Sequence, residues 1–227
     1  MAGSLVHMNP LSPNPRTTIR RIPERGSYDR ALVYAILDEG LLASVGFALD
    51  GQPYVLPMAY ARWQDEIVLH GAAASRLLKQ GAARVPLCVT VTLLDGLVLA
   101  RSAFHHSMNY RSAVILGVAR ELTDPTEKRA ALAALVEHVL AGRSASARPA
   151  NDKELAATRV LALPIEEASA KVRTGGPLDD EEDLAVMAWA GHLPLALGAG
   201  PPIPDARAPV LAGPPENLVQ YRRPGRP

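Results

Sequence analysis

Two stretches of this chain hold residue types that could do chemistry together. The first is His70-Gly71-Ala72-Ala73-Ala74-Ser75-Arg76-Leu77-Leu78-Lys79. An apolar run ends there, small residues turn the chain, and a helix is predicted to start at a hydroxyl followed by a cation. The first N–H groups of a helix lack intrahelical partners and carry partial positive charge, so such a start favours an anion. Ser75 can donate its hydroxyl, Arg76 can fork onto phosphate oxygens, and Lys79, one turn on, adds a point charge. The same residues also describe a capping serine with two solvated basic side chains.

The second stretch is Arg101-Ser102-Ala103-Phe104-His105-His106-Ser107-Met108-Asn109-Tyr110-Arg111-Ser112. It is dense in hydrogen-bonding groups and lies between apolar strands, which also fits an irregular crossover with satisfied polar groups. Adjacent His105 and His106 would point to opposite faces of a strand, and no cysteine or carboxylate is near them in sequence, so no metal site is expected. His70, at a strand end, could be a general acid, an axial ligand or a core histidine with a backbone partner. Cys88 is the sole cysteine. It reads as a buried thiol and excludes an intrachain disulfide. Asp179-Asp180-Glu181-Glu182-Asp183 reads as a solvated acidic turn. No G-x-S-x-G, P-loop or G-x-G-x-x-G is present.

The elements that must position these residues follow from turn and cap signals. A helix is predicted over 28–39, with Ser27 as N-cap and Gly40 as its stop. A strand at 41–49, the turn Asp50-Gly51 and a strand at 53–62 form a hairpin, since a type I′ turn needs positive φ at both central residues. Strand 67–70 leads to a short helix at 76–83. A strand at 86–94, a second turn at Asp95-Gly96 and strands at 97–101 and 110–122 follow. Asp124, Pro125 and Glu127 open the clearest helix, which Gly142 ends. Asn151 starts another short helix, and 159–173 returns as strand with Pro164 marking an edge or bulge. Tight turns rather than βα units make the sheet antiparallel, and a small barrel with flanking helices is the simplest closure.

Composition sets the outer limits. The chain has 227 residues, 48% hydrophobic and 21% charged, with 24 Lys and Arg against 23 Asp and Glu. A formal charge of +1 and 4% aromatics argue against nucleic-acid binding by bulk charge or base stacking. No run is long enough to cross a bilayer, and the N-terminus lacks the order of a signal peptide. A cytoplasmic protein with no membrane and no nucleic-acid partner is expected. Of 20 prolines, four lie in residues 1–26 and ten in 174–227, which leaves six between. Proline interrupts ladders and helix interiors. The expected organisation is therefore an extended arm at 1–26, a domain at 27–174 and a Pro-rich arm at 175–227. Within that arm, 181–193 has Leu184, Met187, Ala188 and Trp189 spaced for a docking helix, with Trp189 packed on the barrel or a partner.

Four segments carry a family resemblance: Arg25-Gly26-Ser27-Tyr28-Asp29, Gly51-Gln52-Pro53-Tyr54-Val55-Leu56-Pro57, Leu69-His70-Gly71-Ala72-Ala73-Ala74-Ser75-Arg76 and Ser107-Met108-Asn109-Tyr110-Arg111-Ser112. With them the chain resembles the pyridoxamine 5′-phosphate oxidase-like superfamily of FMN-binding split β-barrels. Within it, the resemblance is to flavin-nucleotide-binding proteins that include nitroimidazole-resistance-type reductases. It implies a mainly β fold: a six-stranded antiparallel split barrel of Greek-key type with flanking α-helices, in a homodimer with flavin at the subunit interface. It implies that Ser75, Arg76 and Lys79 hold the FMN phosphate. Leu69, His70 and Gly71 would line the flavin, and Pro57, Met58 and Tyr60 would face the ring or substrate. Ser107, Met108, Asn109, Tyr110 and Arg111 would serve the partner's site. His70 is the candidate catalytic group. The C-terminal Arg-x-His signature of the pyridoxal-phosphate enzymes is absent, so vitamin B6 chemistry is not expected. The expected function is an FMN-dependent oxidoreductase passing electrons from NAD(P)H to a small nitro compound or quinone. The alternatives are a haem-binding split barrel using His70, His105 or His106, and a non-catalytic flavin-binding module.

Overall fold

The structure is a computed structural model and describes residues 10–207 and 213–222. The described strands are Gly26–Ser27 (β1), Leu42–Leu49 (β2), Gln52–Trp63 (β3), Glu66–Ala72 (β4), Leu87–Leu99 (β5), Ser107–Gly117 (β6), Arg120–Glu121 (β7), Thr158–Pro164 (β8), Glu167–Arg173 (β9) and Gly191–Pro194 (β10). The described helices are Arg30–Glu39 (α1), Arg76–Ala82 (α2), Pro125–Val139 (α3), Arg143–Ser146 (α4), Asp152–Ala157 (α5) and Glu216–Val219 (α6).

Local chemistry explains most boundaries. Asp50 and Gly51 take φ of 51° and 79°, as a type I′ hairpin requires. Asp124 accepts from the Glu127 N–H at 2.8 Å and caps α3. Asn151 and Glu154 form a reciprocal capping box on α5. The cap of α1 is Asp29, not Ser27, because Ser27 is held in β1 opposite Ala170.

Every pairing is antiparallel, and the strands follow the order β1-β9-β6-β5-β2-β3-β4-β8-β7, with β10 added to β5. The antiparallel sheet with flanking helices fits the expected split barrel, but it has ten strands rather than six and does not close. The reason lies at Pro164, where the single strand predicted over 159–173 breaks into β8 and β9. β8 joins β4 and β7, whereas β9 joins β6 and β1. The chain thereby crosses from one wing of the sheet to the other, and β3 is the strand both wings share.

Both wings contribute to one core. Val45, Val89 and Ile115 from one wing pack with Ile67, Leu69, Leu161 and Leu163 from the other and with Ile36 and Leu37 of α1. The alternate residues Val68, Val160 and Ala162 face a second cluster with Leu122, Ala131 and Leu135. β4 and β8 are therefore covered on both faces, which their near-continuous apolar sequence requires.

Two expected features differ. Asp95-Gly96 is not a hairpin turn: β5 runs straight through it with a register shift between Leu94 and Gly96. Glycine is needed there for another reason, since a Cβ on Gly96 would lie 2.8 Å from the Leu193 carbonyl oxygen of β10. The predicted helix over 181–193 is a 3-10 turn at Glu181–Ala185 followed by β10, and Trp189 is 69% exposed. The extended backbone of β10 is satisfied by the edge of β5. In the N-terminal segment, Leu11 is buried and its N–H donates to the Tyr28 carbonyl at 2.9 Å.

Candidate flavin-type cleft between two diverging strands

β3 and β4 pair only from Tyr60 opposite Leu69 to Trp63 opposite Glu66. Beyond that point β3 stays with β2 as far as Gln52, and β4 stays with β8 as far as Ala72. The two strands therefore part, and residues 52–59 present an edge with no strand partner. Beyond β4 the chain turns into α2, whose first residues stand at the mouth of the gap. The Ser75 hydroxyl makes no capping bond. The Arg76 guanidinium sits 5.0 Å from the centre of the Tyr54 ring, which stacks on Phe47 at 5.3 Å. Arg76 and Lys79 are exposed, and neither is engaged by a carboxylate among the described residues. Ser75, Arg76 and Lys79 thus offer an anion three donors in the first turn of α2, none of them engaged by an acceptor among the described residues.

Strand alternation sorts the remaining expected residues. Tyr60 lies opposite Leu69, so Tyr54, Leu56, Met58 and Tyr60 share a face with Leu69 and Gly71. Tyr60 is fully buried and donates its hydroxyl to the Leu37 carbonyl at 2.7 Å. Leu69 is equally buried. These two are core residues, not the flavin or substrate contacts the resemblance implied. Met58 packs against the same core. Gly71 is close to Leu78, whose Cδ1 a Cβ there would meet at 3.0 Å. Pro57 and His70 lie on the opposite face, next to exposed Val55, Ala59 and Ala72.

His70 is the least satisfied polar group of the cleft. Its Nδ1 is buried and has no hydrogen-bond partner. Burial pushes its pKa below that of an ordinary imidazole, so the ring is held neutral. A neutral ring with a free nitrogen can accept a proton or a metal.

The 107–111 segment is not beside α2. Gly81 of α2 lies against Leu87 at the start of β5, whereas Ser107 pairs with Val98 near its end. Eleven residues of strand at ~3.3 Å each put Ser107 roughly 35 Å from Leu87, and six put Arg111, opposite Leu93, roughly 20 Å from it. Within that segment Ser107 and Tyr110 are half-buried and Met108 is 53% exposed. Asn109 and Arg111 have structural partners instead of open ones. Asn109 donates to the Gly175 carbonyl at 3.0 Å and accepts from Arg173. Arg111 is forked onto Asp95 at 2.9 Å and also bound by Glu39, whose side chain is 7% exposed. It is therefore an ion-pair centre, at a position where the resemblance implied a contact with the partner's flavin.

The histidine pair is also changed by folding. His106 Nδ1 lies 3.0 Å from the Ser102 carbonyl, and His105 Nε2 lies 3.1 Å from Asp180. Asp183 joins this group, with all three potential ligand atoms within 4.8 Å of one another. Sequence distance concealed that proximity, since Asp180 is 75 positions from His105. A cavity of about 880 Å³ lies away from the cleft, between residues 39–42, 92–95, 195–199 and 219–222. The carboxylates on its wall, Glu39 and Asp95, are those already held by Arg111.

With this geometry in place, the likeness to known proteins can be stated. A flavocytochrome of Azotobacter vinelandii is 42% identical, with a TM-score of 0.87, and the match covers 94% of this chain and 99% of that one. A FAD- and haem-binding protein of Mycobacterium smegmatis is 38% identical, with a TM-score of 0.83 over 86% of this chain and 96% of that one. A 5-nitroimidazole antibiotic resistance protein of Bacteroides thetaiotaomicron shares the fold at 24% identity and a TM-score of 0.54, over 65% of this chain and 86% of that one. No curated protein matches the chain. No described helix is long and apolar enough to cross a membrane. Residues 29–172 match the model of the pyridoxamine 5′-phosphate oxidase family, and the chain belongs to that family.

Proposed function

We propose that the chain is a flavin-binding oxidoreductase, active as a homodimer, that also binds haem. The observation that carries the flavin part is the trio Ser75, Arg76 and Lys79, three donors without partners at the start of α2. They fit a flavin phosphate: Arg76 forks, Ser75 donates a hydroxyl, and Lys79 supplies charge. His70 carries the haem part, because its half-buried ring is held neutral and imidazole is a common protein ligand for haem iron. Val55, Pro57 and Ala59 on β3 and Ala72 on β4 are exposed small or apolar residues on the same face as His70, suited to a flat ring. The two relatives that cover nearly the whole chain are both named for these cofactors.

When bound, the flavin supplies hydride and electron transfer and the haem one-electron chemistry. The chain's own residues bind and orient. Tyr54 holds Arg76 in place from one side, and β3 and β4 set the width of the cleft. His70 stays unprotonated, which keeps its nitrogen available. NAD(P)H as donor and a small nitro compound or quinone as acceptor complete the reading, as the family resemblance implies.

The test is the absorbance spectrum of the purified chain. Flavin bands together with a Soret band are expected. Colourless protein that takes up neither flavin nor haem overturns the reading. A Ser75→Ala, Arg76→Gln double variant should bind flavin roughly 100-fold more weakly, the sum of two lost charge-assisted contacts. Its unfolding midpoint should stay within about half a kcal/mol, as both residues sit outside the core. His70→Ala should remove the Soret band and leave the flavin bands.

A further inference from the structure

A second group of cations lies away from the cleft, along the seam between β1 and β9. Gly26 pairs with Lys171 and Ser27 with Ala170, which puts Arg25 beside the end of β9. Arg173, the last residue of β9, is 6% exposed. Its guanidinium donates to Asn109 Oδ1 at 2.5 Å, to the Gly176 carbonyl at 3.0 Å and more weakly to the Gly175 carbonyl. All three acceptors are neutral. Burial, and then the nearby positive charge of Arg25, hold its pKa below the usual arginine range.

The side chains of Arg20, Arg21 and Arg25 have no partner among the described residues. Lys171 Nζ donates to the Arg21 carbonyl at 2.8 Å, which ties the segment carrying these arginines to β9. Against the three arginines of 20–25 the same segment offers Glu24 alone, and the one acid of β9, Glu167, is held by Arg16. The stretches 1–9, 208–212 and 223–227 contain no Asp or Glu, so none of them holds a missing carboxylate side chain. The turn that presents Arg25 starts from Ile22 at φ 55°, a left-handed conformation that β-branched residues rarely adopt. Strain of this kind persists where the surroundings enforce it, often at ligand sites. A buried guanidinium beside a second one, without a counter-charge, is unfavourable unless an anion sits there.

We propose that Arg25 and Arg173, with Arg21 and Lys171 around them, bind the diphosphate of a nucleotide. The Arg25 guanidinium supplies a free fork, Arg173 adds buried positive charge behind it, and two further cations match the charge of a diphosphate better than that of a single carboxylate. Arg173 lies opposite Tyr110 on β6, within the segment far from this subunit's own α2. The diphosphate has two possible sources, a dinucleotide flavin held mainly by the partner subunit or the nicotinamide donor. That last step rests on the flavin reading, whereas the anion site itself does not.

The experiment titrates inorganic pyrophosphate and ADP into the full chain freed of bound flavin, by calorimetry at low salt. In an Arg76→Gln background, which removes the phosphate site at α2, pyrophosphate should still bind, and adding Arg25→Gln should weaken it roughly tenfold, the loss of one charge-assisted fork. Arg173→Lys keeps the buried charge and should show a smaller loss, which guards against a variant that merely unfolds. Equal pyrophosphate affinity in Arg76→Gln with and without Arg25→Gln overturns the proposal, as does the absence of binding in Arg76→Gln alone. The source is then read from Arg25→Gln. A fall in FAD affinity with FMN unchanged assigns the dinucleotide flavin, and a raised KM for NADH with FAD unchanged assigns the nicotinamide donor. Failure of the flavin reading shows separately, as a wild-type chain that binds pyrophosphate but no flavin.

Discussion

At His70 desolvation acts alone on the imidazole, lowering its pKa. In the unfolded chain the same ring takes up a proton near pH ~6.5. Between the two values the unfolded state binds more protons than the folded one, so stability rises with pH through that window and falls as pH drops through it. Urea unfolding at about pH 7.5 and 5 should show this loss in wild type, and His70→Gln should show a flatter dependence. An unchanged slope in His70→Gln would mean that His70 is protonated freely in the fold. Arg111 illustrates the opposite sorting. Replacing it by leucine leaves Glu39 nearly buried without its cation, which should cost about 3 kcal/mol. Flavin affinity of the molecules still folded should not change, because the guanidinium is occupied by Glu39 and Asp95. A large loss of flavin affinity at full stability would restore the ligand role. The residue type and its segment were legible in the sequence, but the role was not. Glu39 is 72 positions away, and only the folded sheet brings it to Arg111.

Elements were legible where local chemistry decides and not where distant strands do. Asp50-Gly51 and Asp95-Gly96 are the same dipeptide with different fates. The first takes positive φ at both residues and turns the chain, because no strand competes for its backbone. The second stays extended, since β6 on one side and β10 on the other hold β5 straight. The dipeptide permits a turn but does not enforce one. The helical spacing around Trp189 is similarly overridden, since the exposed side chains gain little from a helix while β10 finds backbone partners on β5. Gly96→Ala tests this account. The added methyl meets the Leu193 carbonyl, so β10 should detach while the remaining sheet holds, at a cost of about 1 kcal/mol. Limited proteolysis should then cut near Trp189 much faster than in wild type. Equal cutting rates would show that β10 does not depend on close approach at Gly96. The candidate cleft was half legible: Ser75, Arg76 and His70 stood out by type and order. The splaying of β3 from β4, which makes the cleft, has no local signature.

For the whole molecule, the decisive fact is the separation of two groups the family resemblance assigned to one cofactor. Ser75 and Arg76 lie at one end of the β5–β6 ladder and Ser107 to Arg111 at the other. Within one subunit a single flavin would have to bridge roughly 20 Å of ladder to Arg111 and roughly 35 Å to Ser107. A two-fold dimer in which the far end of each subunit met the near end of its partner would remove the difficulty. Exposed Leu42, Val55, Leu56, Leu94 and Met108 provide apolar surface for such a contact. Mixing two defective chains tests the arrangement. Arg76→Gln disables the near group, and Tyr110→Ala disables the far group. Each alone should form dimers with two damaged sites. In a mixed dimer both substitutions fall on one site and the other is intact. Random mixing makes half the dimers mixed with one good site in each, so about a quarter of wild-type flavin binding should return. If both groups served the same site within one subunit, mixing would restore nothing, and the flavin would have to lie wholly against one chain.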